Sequence, residues 1–350
     1  MRYTFPVIPV KIVGTDVSFR SVPTIFTPRR GLRNGHFMTL WAWGRRREFP
    51  GLAEPEALFF DVSPDTRVLA HCYWQRDRSR HPALLGLHGL EGSSQAHYMR
   101  GLADKAFRAG FNVVLLNQRN CGGTEQHGPG LYHSGLTGDA DIVLRALAAT
   151  HAIDRVFVAG YSLGGNLALK LAGEYGNAAP PQLRGVAAVS PVMDLAACVA
   201  ALERRQNIPY QWNFVRALRA RMRRKAAHFP GRYDLGRLDR IWTVRSFDET
   251  YTAPHFGFAS AADYYHRASA RRVIDRIRVP ALILTAMDDP FVPPGPFADP
   301  ALTSNPNVHL VLTRHGGHCG FITDPAPGDD GYWAETQIVR MASEACAPAG

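Results

Sequence analysis

The sequence predicts an α/β fold: a mostly parallel central sheet with helices on both faces, and a helical insertion late in the chain. Three observations predict it. Short apolar runs at 83–87, 111–116, 155–159 and 185–189 alternate with helix-forming segments, which is how a parallel sheet covered on both faces reads. One of these runs passes through Gly-Tyr-Ser-Leu-Gly directly into good helix formers at 167–172. The alternation then stops over 194–272, a helical and basic stretch, and returns at 279–285 and 308–312.

Taken in order, 1–60 is rich in Pro, Gly and aromatics, and is expected to wrap the main domain. Residues 61–193 form the first part of the core. Within it, 67–74 alternates as a strand should, and 83–87 is a buried strand ending in the glycine-rich loop 88–94. Residues 98–109 read as a helix stopped by Gly110, 111–116 as a strand, and 139–150 as a helix with an acidic start. Residues 194–272 are read as a helical cap insertion. Residues 273–350 complete the core, with a last helix at 332–345. At 350 residues and 46% hydrophobic composition, the chain can build a substantial core.

The chemistry gathers at 156–172. A strand, a Gly-x-Ser-x-Gly turn and a helix form the setting of a nucleophile elbow. The turn holds Ser162 in a strained backbone, Gly160 and Gly164 avoid collisions there, and the helix start points free N–H groups at the same spot. A serine hydroxyl needs a base, normally a histidine held by a carboxylate. In this arrangement the acid and then the histidine follow later strands. After 279–285 come Asp288 and Asp289; after 308–312 come His315 and His318. Asp289, four residues before Pro293, is the preferred acid, and Asp288 reads as a turn residue bonding local backbone. His318, in Gly-Gly-His-Cys-Gly-Phe, is the preferred base, and His315 reads as a loop hydrogen-bonding residue. The backbone N–H groups of Leu163 and Leu90 are the expected oxyanion donors, and His88 is expected to hold the Leu90 loop. Cys319 reads as a small side chain rather than a reactive thiol. Asp194 is better suited to capping a helix than to catalysis.

Bulk properties bound the remainder. Cys72, Cys121, Cys198, Cys319 and Cys346 show neither paired nor zinc-binding spacing, so no disulfide framework, metal or cofactor is expected, and a reduced cytoplasmic setting is the default. The N-terminus lacks the apolar run and cleavage site of a signal peptide, and no stretch is long enough to span a membrane. A net charge of +10 raises nucleic acid or anionic lipid as a partner. No nucleic-acid-binding motif accompanies the arginine groups, so solvated basic faces are expected and specific nucleic-acid binding is not. Residues 214–225 form a basic amphipathic helix with Phe214, Val215, Leu218 and Met222 on one side. It reads as a packed cap helix whose outer face could touch anionic lipid peripherally. Oligomeric state is left open.

With these residues in view, the chain resembles the YheT-like branch of the α/β-hydrolase superfamily along nearly its whole length. The resemblance rests on Asn34-Gly35-His36 with Thr39, HGLEGSS at 88–94, Tyr132-His133-Ser134-Gly135, and GYSLGGN at 160–166. It continues through Phe247-Asp248, Tyr264-Tyr265 with Ser269, RVPALILTAMDDPFVP at 278–293 and GGHCGF at 316–321. It implies an α/β-hydrolase fold and a serine hydrolase acting on small-molecule carboxylic (acyl) esters, with Ser162, Asp289 and His318 as nucleophile, acid and base. An acyltransferase or thioesterase using the same residues, or a non-catalytic binding protein on this scaffold, are the alternatives. The chain departs from the family at Arg119-Asn120-Cys121, where relatives carry Arg-Gly-Cys; Asn tolerates the left-handed backbone such a turn needs.

Overall fold

Eight strands form one sheet in the order β1-β2-β4-β3-β5-β6-β7-β8. The computed structural model describes residues 25–348; the reading of the first residues as no signal peptide lies outside them. β1 (Glu56–Ser63) pairs antiparallel with β2 (Thr66–Tyr73), and β2 pairs antiparallel with β4 (Asn112–Leu116). From β4 onward, through β3 (Ala83–Leu87), β5 (Val156–Tyr161), β6 (Leu183–Val189), β7 (Ala281–Ala286) and β8 (Val308–Thr313), every pairing is parallel.

The central strands are buried at every position and, Asn112 apart, carry almost no polar side chains, because both sheet faces are covered. Successive residues serve opposite faces. Leu85, Val114 and Val158 pack with Val143, Leu144 and Leu167 of α3 (Gly138–His151) and α4 (Leu163–Tyr175). Leu84, Val113 and Phe157 pack with Met99 and Leu102 of α2 (His97–Arg108) and with Ile338 and Met341 of the last helix, Trp333–Ala345. Each such fully buried side chain contributes about 1.5–3 kcal/mol.

Two elements fall where the sequence pattern is weakest. Residues Gly35–Gly44 form α1, capped by Asn34, whose side chain accepts the Phe37 N–H at 3.2 Å. β1 begins at Glu56, so the sheet's first strand straddles the expected boundary between a wrapping segment at 1–60 and the core. It is an edge strand with alternate residues in water, and its Leu58-Phe59-Phe60 run hides the alternation.

Between β6 and β7 there is no strand. The interval holds α5 (Leu195–Leu202), α6 (Ile208–His228) and shorter helices, including Ala261–Ala268. Asp194 caps α5 by accepting the Ala197 N–H at 3.1 Å, and its other oxygen pairs with Arg271. α6 buries Val215, Leu218 and Met222 as its amphipathic pattern predicts, but it also buries Arg221 and Lys225. The expectation of solvated basic faces therefore needs correcting at particular residues. Arg47 is buried against Glu335, Arg221 is buried against Glu91, and Lys225 donates to the carbonyls of Glu125 and Gly128. Buried cations need partners, and each of these has one. No helix of the described residues is long and apolar enough to cross a membrane.

Candidate active site

β5 ends at Tyr161 and α4 begins at Leu163, which leaves Ser162 alone to turn the chain. Its backbone sits at φ 54°, ψ −113°, a region that side chains rarely adopt. The glycines on either side are required by space. A Cβ on Gly160 would lie 2.0 Å from the Gly164 carbonyl oxygen, and one on Gly164 would lie 2.2 Å from the Leu87 carbonyl oxygen. Leu163 is the first residue of α4, so its N–H has no acceptor within the helix.

The loop after β3 packs directly behind the serine: a Cβ on Gly89 would lie 3.3 Å from Ser162 Cβ. His88 anchors this loop. Fully buried, it bonds the Gly89 carbonyl through Nδ1 at 2.7 Å and accepts the Gln118 N–H at Nε2 at 3.1 Å. Burial lowers its pKa to about 4, so it stays neutral. On either side of Leu90 the amides are engaged, Gly89 N–H with Tyr98 Oη and Glu91 N–H with Tyr132 Oη, both at 3.1 Å.

The acid and histidine candidates sort into two pairs. Asp289 Oδ2 lies 2.8 Å from His318 Nδ1, and Asp289 Oδ1 accepts the N–H groups of Phe291 and Val292 at 3.0 and 2.9 Å. The Asp289 side chain is fully buried and that of His318 nearly so. Burial alone would lower the imidazole's pKa, but the Asp289 carboxylate, with Cys319 alongside, outweighs it and raises the value to about 10. Asp288 bonds the histidine loop instead, accepting the Gly317 N–H at 2.9 Å with His315 Nδ1 at 3.3 Å. Its partner is thus distant in sequence, not the local backbone that a turn residue would bond.

His318 is also held from below by α1. Its N–H donates to Thr39 Oγ1 at 2.8 Å, and Thr39 in turn donates to the Gly35 carbonyl at 2.7 Å. A Cβ on Gly317 would lie 2.6 Å from the Gly35 carbonyl oxygen, so the glycine admits this close approach. Composition gave no signal for this support; only the Asn34-Gly35-His36 and Thr39 landmarks pointed to the segment.

Ser162 and the histidine loop meet over β6. The Val189 carbonyl accepts both the Ser162 N–H at 2.8 Å and the Cys319 S–H at 3.7 Å, and Cys319 N–H donates to Ser190 Oγ at 3.0 Å. Phe291 packs on the imidazole with centroids 4.1 Å apart, and lines a cavity of about 90 Å³ together with Ser162, Leu90 and Leu163. Among the described residues no hydrogen bond closes between Ser162 Oγ and His318, a link that in a resting enzyme often forms only with substrate. Side chains from the insertion, including Val199, Phe214, Leu218 and Arg221, supply much of the remaining wall, and Tyr132, His133 and Ser134 of the core complete it. Asn120, the departure noted at 119–121, takes the left-handed backbone expected of it at φ 65°.

Comparison with known proteins agrees with this fold. The family model described as alpha/beta hydrolase fold matches residues 82–325. Over 327 residues the chain is 34% identical to YheT of Escherichia coli (strain K12), which bears a provisional esterase name; the match covers 89% of this chain and 91% of that one. It is 31% identical over 247 residues to phospholipase ABHD3 of Mus musculus, covering 70% of this chain and 60% of that protein, so it spans less than two thirds of that relative. Among solved structures, the Pyrococcus furiosus esterase Pf2001 is similar in fold, with a TM-score of 0.55 at 15% identity over 86% of this chain and 96% of that one.

Proposed function

The chain belongs to the alpha/beta hydrolase family, in the branch of YheT, and from that premise we propose that it hydrolyses carboxylic esters through an acyl-enzyme on Ser162. The observation that supports this most is the buried Asp289–His318 pair at 2.8 Å, whose loop shares the Val189 carbonyl with the strained serine.

In this reading Asp289 accepts the Nδ1–H, which leaves Nε2 with a lone pair for the serine proton. Ser162 Oγ attacks the acyl carbon as His318 takes its proton, and the carbonyl oxygen becomes an oxyanion facing the N–H groups of Leu163 and Leu90. Collapse expels the alcohol, protonated by His318. Water then attacks the acyl-enzyme with His318 again as base, and the carboxylic acid leaves. No cofactor or metal enters any step. The cavity beside Ser162 is lined largely by apolar side chains, which suits an acyl group.

The test is a series of p-nitrophenyl esters of increasing acyl length, assayed with the wild-type protein and with Ser162→Ala. Turnover by the wild-type protein is expected, with none above background in the variant. Equal rates for the two proteins would defeat the proposal.

A further inference from the structure

Glu91 immediately follows the proposed oxyanion donor Leu90, and its backbone sits at φ 55°, left-handed for a residue that is not glycine. Three contacts hold it there. Its N–H donates to Tyr132 Oη at 3.1 Å, and that hydroxyl donates to Glu91 Oε1 at 3.1 Å. Arg221 Nη2 pairs with the same Oε1 at 2.9 Å, while its guanidinium lies over the Tyr132 ring, 4.5 Å from the centroid.

The side chains of Arg221 and Glu91 are 7% and 9% exposed, so water screens this pair little. Arg221 belongs to α6, inside the helical insertion, and lines the cavity beside Ser162. A helix of the insertion thus grips the loop behind the nucleophile at the one strained residue next to Leu90. Simple stabilisation is a weak explanation, because apolar side chains in place of a buried ion pair often leave stability unchanged or improved. What an apolar pair could not do is fix the direction of the Glu91 backbone, and with it the adjoining peptide.

We propose that Arg221 is a positioning residue for the oxyanion hole: through Glu91 it fixes the turn that aims the Leu90 N–H at the reacting oxygen. The seating of the insertion thereby becomes part of the catalytic geometry. This inference rests on the esterase reading above and on Leu90 as an oxyanion donor.

The test is steady-state hydrolysis of a short p-nitrophenyl ester by the full chain, with Arg221→Met, Glu91→Gln and both together. Alongside it, affinity is measured for a trifluoromethyl ketone, which forms a tetrahedral oxyanion adduct on serine. Each single variant is expected to lose about 10- to 100-fold in kcat with KM little changed, short of or near the cost of losing a whole donor. Ketone affinity should fall in proportion to kcat/KM, and the double variant should be no worse than either single, because the two residues act as one unit. Should the charge variants fail to fold, Tyr132→Phe removes only the hydroxyl that clasps Glu91, and a loss of about 10-fold in kcat is expected. Unchanged kcat with only a lowered Tm, or losses that simply add, would overturn the inference and leave the esterase reading standing. Absence of hydrolysis by the wild-type protein would defeat that reading, and the inference with it.

Discussion

Replacing Asp289 with asparagine changes one atom in a side chain held at three points. Asp289 Oδ1 accepts two backbone N–H groups and Oδ2 faces His318 Nδ1. An asparagine oxygen can keep the two amides, so the variant's –NH₂ turns toward the imidazole. Nδ1 must then become an acceptor, which moves the ring proton to Nε2, where it blocks removal of the serine proton. The imidazolium that forms in the transition state also loses its buried counter-ion. Together these predict a fall in kcat of about 10⁴ with KM nearly unchanged. The pH profile should move too. The base must be neutral to act, so wild-type activity climbs as His318 loses its proton, above the ordinary imidazole value of 6.5. Without the carboxylate, burial is left to dominate and the climb shifts to lower pH. The assay is kcat/KM from pH 5 to 10 on a short p-nitrophenyl ester, with Asp288→Asn as the control. A loss below about 10-fold in Asp289→Asn, or a 10⁴-fold loss in Asp288→Asn instead, would refute the assignment of the pair.

Other predictions follow from single contacts. Thr39→Val leaves the His318 N–H without its acceptor, at about 1–3 kcal/mol, and kcat should drop about 10-fold in the same ester assay. Gly164→Ala drives a Cβ to 2.2 Å from the Leu87 carbonyl oxygen, so urea unfolding should show a loss of about 3 kcal/mol or more. Asp248 is buried, which raises its pKa to about 6 against the opposing hydrogen bonds of Thr252 and Tyr265. Its protonated form is favoured on folding, so this stability is fully present below the ordinary value of 3.8 and is lost as pH rises through about 6. The difference is worth about 3 kcal/mol, and Asp248→Asn should flatten Tm between pH 4 and 7.

The strands at the sheet centre were legible because burial on both faces leaves little room for polar side chains, as in Ala83–Leu87. β1 was not, since an edge strand half in water carries no continuous apolar run. α1 was hidden by its own composition: its aromatic residues are partly exposed, and its Thr39 accepts the His318 N–H from a distant part of the chain. The candidate acid, base and serine could be proposed from chain order, because each follows a strand. Their supports could not. The Thr39, Glu91 and Arg221 contacts join segments far apart in sequence; helical spacing puts Arg221 on the face of Leu218 and Met222, but nothing local names Glu91 as its partner. Composition likewise counts cations without telling which are buried in pairs, as Arg47 and Arg221 are.

The central claim is that Ser162 is an activated nucleophile in the folded protein. Incubation with a fluorophosphonate, followed by intact-mass and peptide-mapping mass spectrometry, tests it most directly. The account predicts a single adduct, on the peptide carrying Ser162, that disappears in Ser162→Ala and after denaturation. Equal labelling of the Ser162→Ala variant, or an adduct mapped to another residue, would contradict it.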